Sequence, residues 1–561
     1  MRVRIQSNTL VHQFRGFILR CAGRAEAAGK SGGQRFDGAL FPPGTLAAVP
    51  SCQDIPVRVL VGVQLLEETT SSQAAGAAHE AARLPAGPIL MPGRNCWRVA
   101  EARRAAVLVD GASYFAALEA SLRQARRSIH IVGWDFDGSI RLRPDVGAEE
   151  SPPLGPLLRA LVEERPELEV RILVWSVAVV HAPGAPGPLI FGADWQDHPR
   201  LQVKLDTHHP VYAAHHQKIV CIDDSLAFVG GMDLTVERWD TSRHACDDPV
   251  RLKEDGGIYE PVHDLQMAVD GEAAGSVAAV WYERWKFATG EELTSAASAG
   301  TDPWPTGLVP EFTNVPVAIA RTYPAWGDQP AAHEAAALTL DALSAARKTI
   351  YIEAQYMTAP QIGDVLERRL ADPEGPEIVV IQTHESHGWA EELVMGTNRD
   401  RLIRRLRKCD RHNRLRVYYP VIPNGTGGEC QVLIHAKLII VDDVFLRIGS
   451  SNLNNRSIGL DSECDLAIEA TTDETRRTIA RLRDRLLAEH LDTLPDVFAR
   501  SLEAENGSLI RAVERLNRGE RGLRVFGAMS DDGPDAPAPG TSLLDPLEPF
   551  EPMSLFRRRK A

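Results

Sequence analysis

Apolar positions along the chain fall into short blocks of alternating character. Tyr114–Arg127 carries apolar residues at helical spacing and runs into Ser128-Ile129-His130-Ile131-Val132, a β-branched run that predicts a strand. Leu168–Trp175 predicts a second strand, and His215–Gly231 a strand hairpin turning at Asp223-Asp224-Ser225. Val277–Phe287 reads as a helix. Pro303, Pro305 and Pro310 then mark 296–312 as a linker. The same order returns beyond it. A helix at Ala335–Arg347 leads to a strand at Thr349–Glu353 and another at Glu377–Gln382. A hairpin over His435–Ser450 turns at Asp442-Asp443, and Thr475–His490 closes the series as a helix. Ile131 and Ile352 lie 221 positions apart, and His216 and His435 lie 219 apart. A matching order at a near-constant offset is an internal duplication of about 200 residues.

Strands alternating with helices predict an α/β fold, with two similar α/β sandwich halves at 89–295 and 313–528 joined by the linker. Set about a pseudo-twofold axis, the halves would share one active site. Residues 1–88 lack sustained periodicity apart from a strand-like run at Val57–Leu66, and they read as disordered or loosely attached. The Asp/Pro/Gly-rich stretch 529–561, ending Arg557-Arg558-Arg559-Lys560, reads as a flexible tail.

Composition narrows the function classes. The chain has 561 residues, 44% hydrophobic and 25% charged, with a formal charge of −14. That is globular composition, and a net-acidic chain is a poor candidate for non-specific nucleic-acid binding. Nor should it be drawn strongly to anionic membranes. No apolar run reaches the length of a membrane span, so no transmembrane segment is expected. The eight cysteines form no Cys-x-x-Cys pair, which argues against a zinc site of the usual spacing. They read mostly as free thiols in a reducing compartment. The apolar stretch Gly16–Leu19 is flanked by Arg15 and Arg20 and makes a weak signal peptide. A cytoplasmic or peripheral-membrane location fits best, with secretion as the alternative.

Each hairpin opens with the same pattern, His-x-Lys-x4-Asp: His216, Lys218 and Asp223, then His435, Lys437 and Asp442. A chance match is expected roughly 0.02 times in a chain of this composition. Two copies at equivalent places in a duplication make chance negligible. The basic residues are 53 Arg and 9 Lys, yet both copies hold Lys, a compact ammonium suited to a phosphoryl oxygen. Positions i and i+2 of a strand face one side, so each half offers one imidazole and one cation. One imidazole can attack phosphorus while the other protonates the leaving oxygen, and the two lysines offset charge on the non-bridging oxygens. With these cations built in, the chemistry needs no metal and no cofactor. Orienting carboxylates lie downstream: Glu463 follows His435 by 28 residues and Asp264 follows His216 by 48. A carboxylate partner is expected to raise the pKa of its imidazole. Ser450 and Asn452 follow the second hairpin on one strand face and are candidates to bind phosphate, a pair the first half lacks. Asp223 and Asp442 join the catalytic set by motif, although Asp at a hairpin turn reads first as turn chemistry.

These residues resemble the phospholipase D superfamily, whose duplicated signature is this His-x-Lys-x4-Asp. The resemblance spans about residues 95–500. Arg238-Trp239-Asp240-Thr241 with His244 resembles the segment after the first motif of phospholipase D proper. Pro261-Val262-His263-Asp264 resembles its Pro-Trp-His-Asp element, with Val262 in place of Trp. Ile350-Tyr351-Ile352-Glu353-Ala354-Gln355-Tyr356 and Ile448-Gly449-Ser450-Ser451-Asn452 resemble further elements of that branch. The resemblance implies that His216 forms a phosphohistidine, that His435 is the general acid, and that Lys218, Lys437 and Asn452 hold the phosphate. It implies hydrolysis of phosphatidylcholine-type lipids at a membrane surface, with water or a primary alcohol as acceptor. It shows no lipid-binding regulatory domain of the kind eukaryotic relatives carry, which leaves docking to loops near Trp389. A monomer with an intramolecular pseudo-dimer is expected. A cardiolipin synthase-type transferase, a nucleic-acid phosphodiesterase and a non-catalytic lipid-binding scaffold are the competing readings.

Overall fold

A computed structural model describes residues 87–175, 193–210, 213–253, 255–295, 300, 302–385, 392–534, 536–538 and 540–548. The expected strand at Val57–Leu66, Trp389 and the basic C-terminal run lie outside the described residues.

The first half contains β1 (Arg98–Val109), α1 (Asp110–Leu122), β2 (Ser128–Gly133), α2 (Leu154–Glu164), β3 (Glu169–Trp175), β4 (Leu201–Asp206), β5 (Ile219–Ile222), β6 (Leu226–Gly230), β7 (Val262–His263), β8 (Leu265–Asp270) and α3 (Gly271–Thr289). The second contains β9 (Phe312–Tyr323), β10 (Ala332–His333), α4 (Glu334–Ala345), β11 (Thr349–Ala354), α5 (Pro360–Ala371), β12 (Glu377–Gln382), α6 (Thr397–Cys409), β13 (Leu415–Pro423), β14 (Glu429–Gln431), β15 (Leu433–Ile434), β16 (Lys437–Val441), β17 (Phe445–Gly449), β18 (Glu463–Glu469) and α7 (Asp473–His490). Two short helices, α8 (Pro495–Ala504) and α9 (Leu509–Leu516), and β19 (Gly522–Val525) follow.

The strand pairings make the duplication explicit. The first half runs β4-β3-β2-β5-β6-β8-β1, and the second runs β13-β12-β11-β16-β17-β18-β9. The two series meet where β1 pairs with β9, antiparallel, from Arg98 opposite Ile319 to Ala105 opposite Phe312. In each half two parallel pairs sit at the outer end and antiparallel hairpins sit inside. The inner strands are unbroken apolar runs because both faces are covered. β6, for instance, reads Leu-Ala-Phe-Val-Gly and is buried throughout. Helices α1 and α2 cover one face of the first half, and α4, α5 and α6 one face of the second. The core between draws on both halves and takes in α3 and α7. Local signals set these helix ends. Thr472 caps α7 through Oγ1, which accepts from Thr475 N at 3.1 Å. Gly290, at φ 76°, closes α3 in the left-handed conformation.

Three expectations change. His216 and His435 stand outside the ladder strands, since β5 starts at Ile219 and β16 at Lys437. Their backbone N–H groups cross to the opposite half instead: His216 donates to Ser462 O at 3.0 Å and His435 to His263 O at 2.8 Å. Cys246 and Cys430, expected as free thiols, form a disulfide with Cα atoms 5.9 Å apart that ties the halves together. Cys96, Cys221, Cys409 and Cys464 are free. Part of the expected flexible tail is packed. Asp545 is buried and accepts from Thr358 Oγ1 at 2.9 Å, and Ala538 N donates to Asn398 Oδ1 at 3.1 Å.

Candidate active site

The crossed backbone bonds deliver both histidines to the seam between the halves, and the carboxylates cross with them. His216 Nδ1 lies 3.0 Å from Glu463 Oε2, at the start of β18 in the second half. His435 Nδ1 lies 2.6 Å from Asp264 Oδ2, between β7 and β8 in the first half. Each imidazole is therefore oriented by the other half rather than by the downstream carboxylate of its own. In both rings Nδ1 is committed, and Nε2 is the atom left for substrate.

The two lysines lie beneath the rings. Lys218 Nζ stands 3.2 Å from Asp233 Oδ2 and donates to His216 O at 3.0 Å. Lys437 Nζ donates to Gln355 Oε1 at 3.1 Å and to His435 O. Both lysine side chains are 2% exposed, whereas His216 keeps 16% and His435 10%, so the imidazoles form the open rim. The cations act on both rings. Burial, then Lys218 and Lys437, hold His216 well below the ordinary histidine range. Burial, then Lys437 and Arg238, do the same for His435. The expected upward shift is thus reversed, because dehydration and the cations outweigh the carboxylates. Burial also brings Lys437 down to about 7 and pushes Glu463 up to about 8.

Glu463 sits in a donor chain that settles proton placement in its anionic form. Ser450 Oγ accepts from Cys464 N at 3.0 Å and donates to Glu463 Oε2 at 2.5 Å. Ser457 Oγ accepts from Asn452 N at 3.0 Å and donates to Glu463 Oε1 at 2.6 Å. With each hydroxyl accepting one backbone N–H and aiming its proton at the carboxylate, an anionic Glu463 can only accept from His216 Nδ1, and Nε2 carries the lone pair. Ser450 therefore supports Glu463 and does not face a phosphate, correcting the sequence expectation. Asn452 is buried at the rim, and its Oδ1 has no hydrogen-bond partner among the described residues.

Asp223 and Asp442 stand away from the reacting groups. Asp223, at φ 51°, accepts from the backbone N–H groups of Arg126, Arg127 and Ser128 at 2.7 to 3.1 Å. Asp442, at φ 53°, accepts from those of Arg347, Lys348 and Thr349 at 2.7 to 2.8 Å. Each stitches its hairpin turn to the start of the neighbouring strand, so the catalytic placement of both is corrected to a structural one. The sequence reading missed Asp233, Gly231, Gln355, Ser457 and the part played by Arg238. A signal for Asp233 existed: it follows His216 by 17 residues, as Asn452 follows His435. Gly231 occupies the place of Ser450, and a Cβ there would collide with Asp264 Oδ1.

The family profile described as "Cardiolipin synthase, PLD-like domain" matches residues 339–485. Phospholipase D A of Dictyostelium discoideum is 23% identical over 475 residues, covering 69% of this chain and 36% of the relative. Phospholipase D beta 1 of Arabidopsis thaliana is 23% identical over 571 residues, covering 73% of this chain and 50% of the relative. The chain thus spans half or less of the length of these relatives. The crystal structure of phosphatidylserine synthase of Haemophilus influenzae aligns over 74% of this chain and 96% of its own, at 14% identity and a TM-score of 0.46.

Proposed function

Because the chain belongs to the phospholipase D superfamily, we propose that it hydrolyses phosphatidylcholine-type phospholipids to phosphatidate and free headgroup, and transfers the phosphatidyl group to primary alcohols. The observation that carries this reading is the crossed pair of imidazoles, each fixed by a carboxylate of the other half above two buried lysines.

His216 Nε2 attacks phosphorus while the ester bond to the headgroup oxygen breaks. The bonding pair leaves on that oxygen, which takes the proton of His435 Nε2. The phosphatidyl group stays on His216. Water or an alcohol then gives its proton to His435 as its oxygen attacks phosphorus, and the pair of the P–N bond returns to Nε2. Lys218, Lys437 and the Asn452 amide bind the non-bridging oxygens. The diester brings a negative charge between the lysines and so weakens the cation field that depresses His435, which lets that ring hold its proton when substrate is present. Glu463 supports the nucleophile because its donor chain keeps the proton on Nδ1. No helix among the described residues is long and apolar enough to cross a membrane. In this reading the enzyme is a monomer that meets its lipid at the membrane surface.

The test is the purified chain, kept free of chelator, with phosphatidylcholine vesicles and excess ethanol. Phosphatidylethanol is the expected product. Turnover of phosphatidylglycerol or DNA instead would keep the chemistry and replace the substrate, and no turnover of any phosphodiester would leave a lipid-binding scaffold.

A further inference from the structure

Behind the His435 side of the seam lies a second cluster of ionisable groups that the reaction does not use. Asp110 at the start of α1, His244 in the loop after β6, His263 in β7 and Glu489 near the end of α7 direct one ligand atom each at a common point, all within 4.8 Å of one another. We propose that these four residues bind a divalent transition ion, zinc by preference, which braces the two halves behind the reaction centre.

The spacing suits such an ion. His263 Nδ1 lies 2.9 Å from Asp110 Oδ1 and 3.2 Å from Glu489 Oε1. His244 Nε2 is hydrogen-bonded to Glu489 Oε1 at 3.1 Å and lies 3.8 Å from Asp110 Oδ1. A tetrahedron with metal–ligand bonds of about 2.0–2.1 Å has edges of about 3.3–3.4 Å, in the middle of that range.

Atom direction adds an independent argument. Asp110 is 1% exposed, yet neither of its carboxylate oxygens has a hydrogen-bond partner, and neither does His263 Nδ1. The two groups stand at hydrogen-bond distance without hydrogen-bond geometry. Such close approach without a geometrically formed bond suits ligands of a shared ion.

The supporting groups fit too. A metal-bound histidine commonly donates its other N–H to a carboxylate, which fixes its tautomer. Both do so here: His244 Nδ1 meets Asp240 Oδ2 at 2.9 Å, and His263 Nε2 meets Glu353 Oε2 at 2.9 Å. Glu353 is held in turn by His490 Nε2 at 3.0 Å and by the Tyr351 hydroxyl. Every carboxylate and ring nitrogen in those contacts is hydrogen-bonded, whereas Asp110 and His263 Nδ1 are not, so this group is the support and not a second site.

Charge points the same way. Two carboxylates and two neutral imidazoles leave two negative charges buried, which a divalent ion cancels.

A bound ion would tether α7 of the second half to β7 of the first. His263 O accepts from His435 N at 2.8 Å, and Asp264, the partner of His435, is the next residue. The ion is thus a brace for the general-acid side, separate from the metal-free chemistry, and does not rest on the substrate proposed above.

The test uses the full chain, purified without chelator, and elemental analysis of bound metal, followed by exchange to Co2+. One ion per chain is expected, with the intense visible absorption of tetrahedral Co2+. The double variant His244→Gln, Glu489→Gln should lose both signals while keeping the wild-type circular dichroism. Should that variant misfold, Asp240→Asn leaves all four ligands in place and should weaken Co2+ binding by about 10- to 100-fold. A folded wild-type chain that binds no stoichiometric Zn2+ or Co2+ at micromolar free ion would overturn the proposal. So would metal binding that is unchanged in the double variant, or in Asp240→Asn where that variant stands in for it.

Discussion

The two sides of the seam carry nearly the same motif and differ in what supports it. On the His216 side the carboxylate is Glu463, reached by two serine hydroxyls that are themselves fixed by backbone N–H groups. On the His435 side it is Asp264, one methylene shorter, which accepts from Leu265 N at 2.7 Å. Ser450 on one side corresponds to Gly231 on the other, where any side chain would strike Asp264. The cations differ likewise. Lys218 has an anionic partner in Asp233, while Lys437 has the neutral amide of Gln355 and is lowered to about 7 by burial. A duplicated sequence has thus diverged in its second layer. One side holds its imidazole on a carboxylate fed by two hydroxyls, and the other on a carboxylate 2.6 Å away without them. The proposed division into nucleophile and acid rests on that difference, where the motif alone is symmetric.

The comparison breaks most sharply at the histidines. With a diester whose leaving group needs no proton, His435→Ala should still form a stoichiometric phosphoenzyme and then stall. His216→Ala should form none, with turnover lower by roughly 10⁴-fold or more. Radiolabel trapped on protein reads the result, and label on His435 in the His216 variant would reverse the two roles.

The next effect lies in the second layer. Gly231→Ala should displace Asp264 and cost about 10²-fold in kcat, the scale of a mispositioned general acid. Ser450→Ala should cost about tenfold, since one hydrogen bond to a charged group is lost. It should also move the pH profile. The nucleophile requires loss of the excess proton shared by Glu463 and His216. Burial raises Glu463 to about 8 and the serine bonds pull it down. Removing Ser450 therefore raises Glu463 further above Lys437 near 7, so the optimum of kcat/KM moves to higher pH and loses height. An optimum that does not move would detach Glu463 from the nucleophile.

The smallest expected effect on chemistry is at the turn aspartates. Asp223→Ala strands three backbone N–H groups and should cost about 3 kcal/mol of stability with kcat per folded molecule unchanged. Asp442→Ala should cost less, because its turn is less buried. Thermal melting beside an active-site titration separates stability from rate. A kcat loss that survives correction for folded fraction would return these residues to the chemistry.

Much of the architecture was legible because its signals are local. The strands at Ser128–Val132 and Glu377–Gln382, the hairpin turns at Asp223 and Asp442, and the 219-residue offset between His216 and His435 all follow from short-range pattern. The histidines, the lysines and both carboxylates could be nominated from motif and position. Their partners could not. His216 lies 247 positions from Glu463 and His435 lies 171 from Asp264, and no periodicity encodes a pairing across that distance. The direction of the imidazole pKa shifts had the same obstacle, since it depends on how much water two packed halves exclude and on where two ammonium groups come to rest.

The chain by itself determined that there are two copies of one α/β unit, each bringing an imidazole and an ammonium to equivalent places, because residue type and spacing travel with the backbone. The tertiary structure alone decided that the copies exchange carboxylates, that Cys246 meets Cys430, that Ser450 supports a carboxylate, and that Asp110, His244, His263 and Glu489 converge. All but the Ser450 contact, which spans 13 positions within the second half, join segments far apart in sequence, and those that cross the halves are settled by how the two sheets meet edge to edge at β1 and β9.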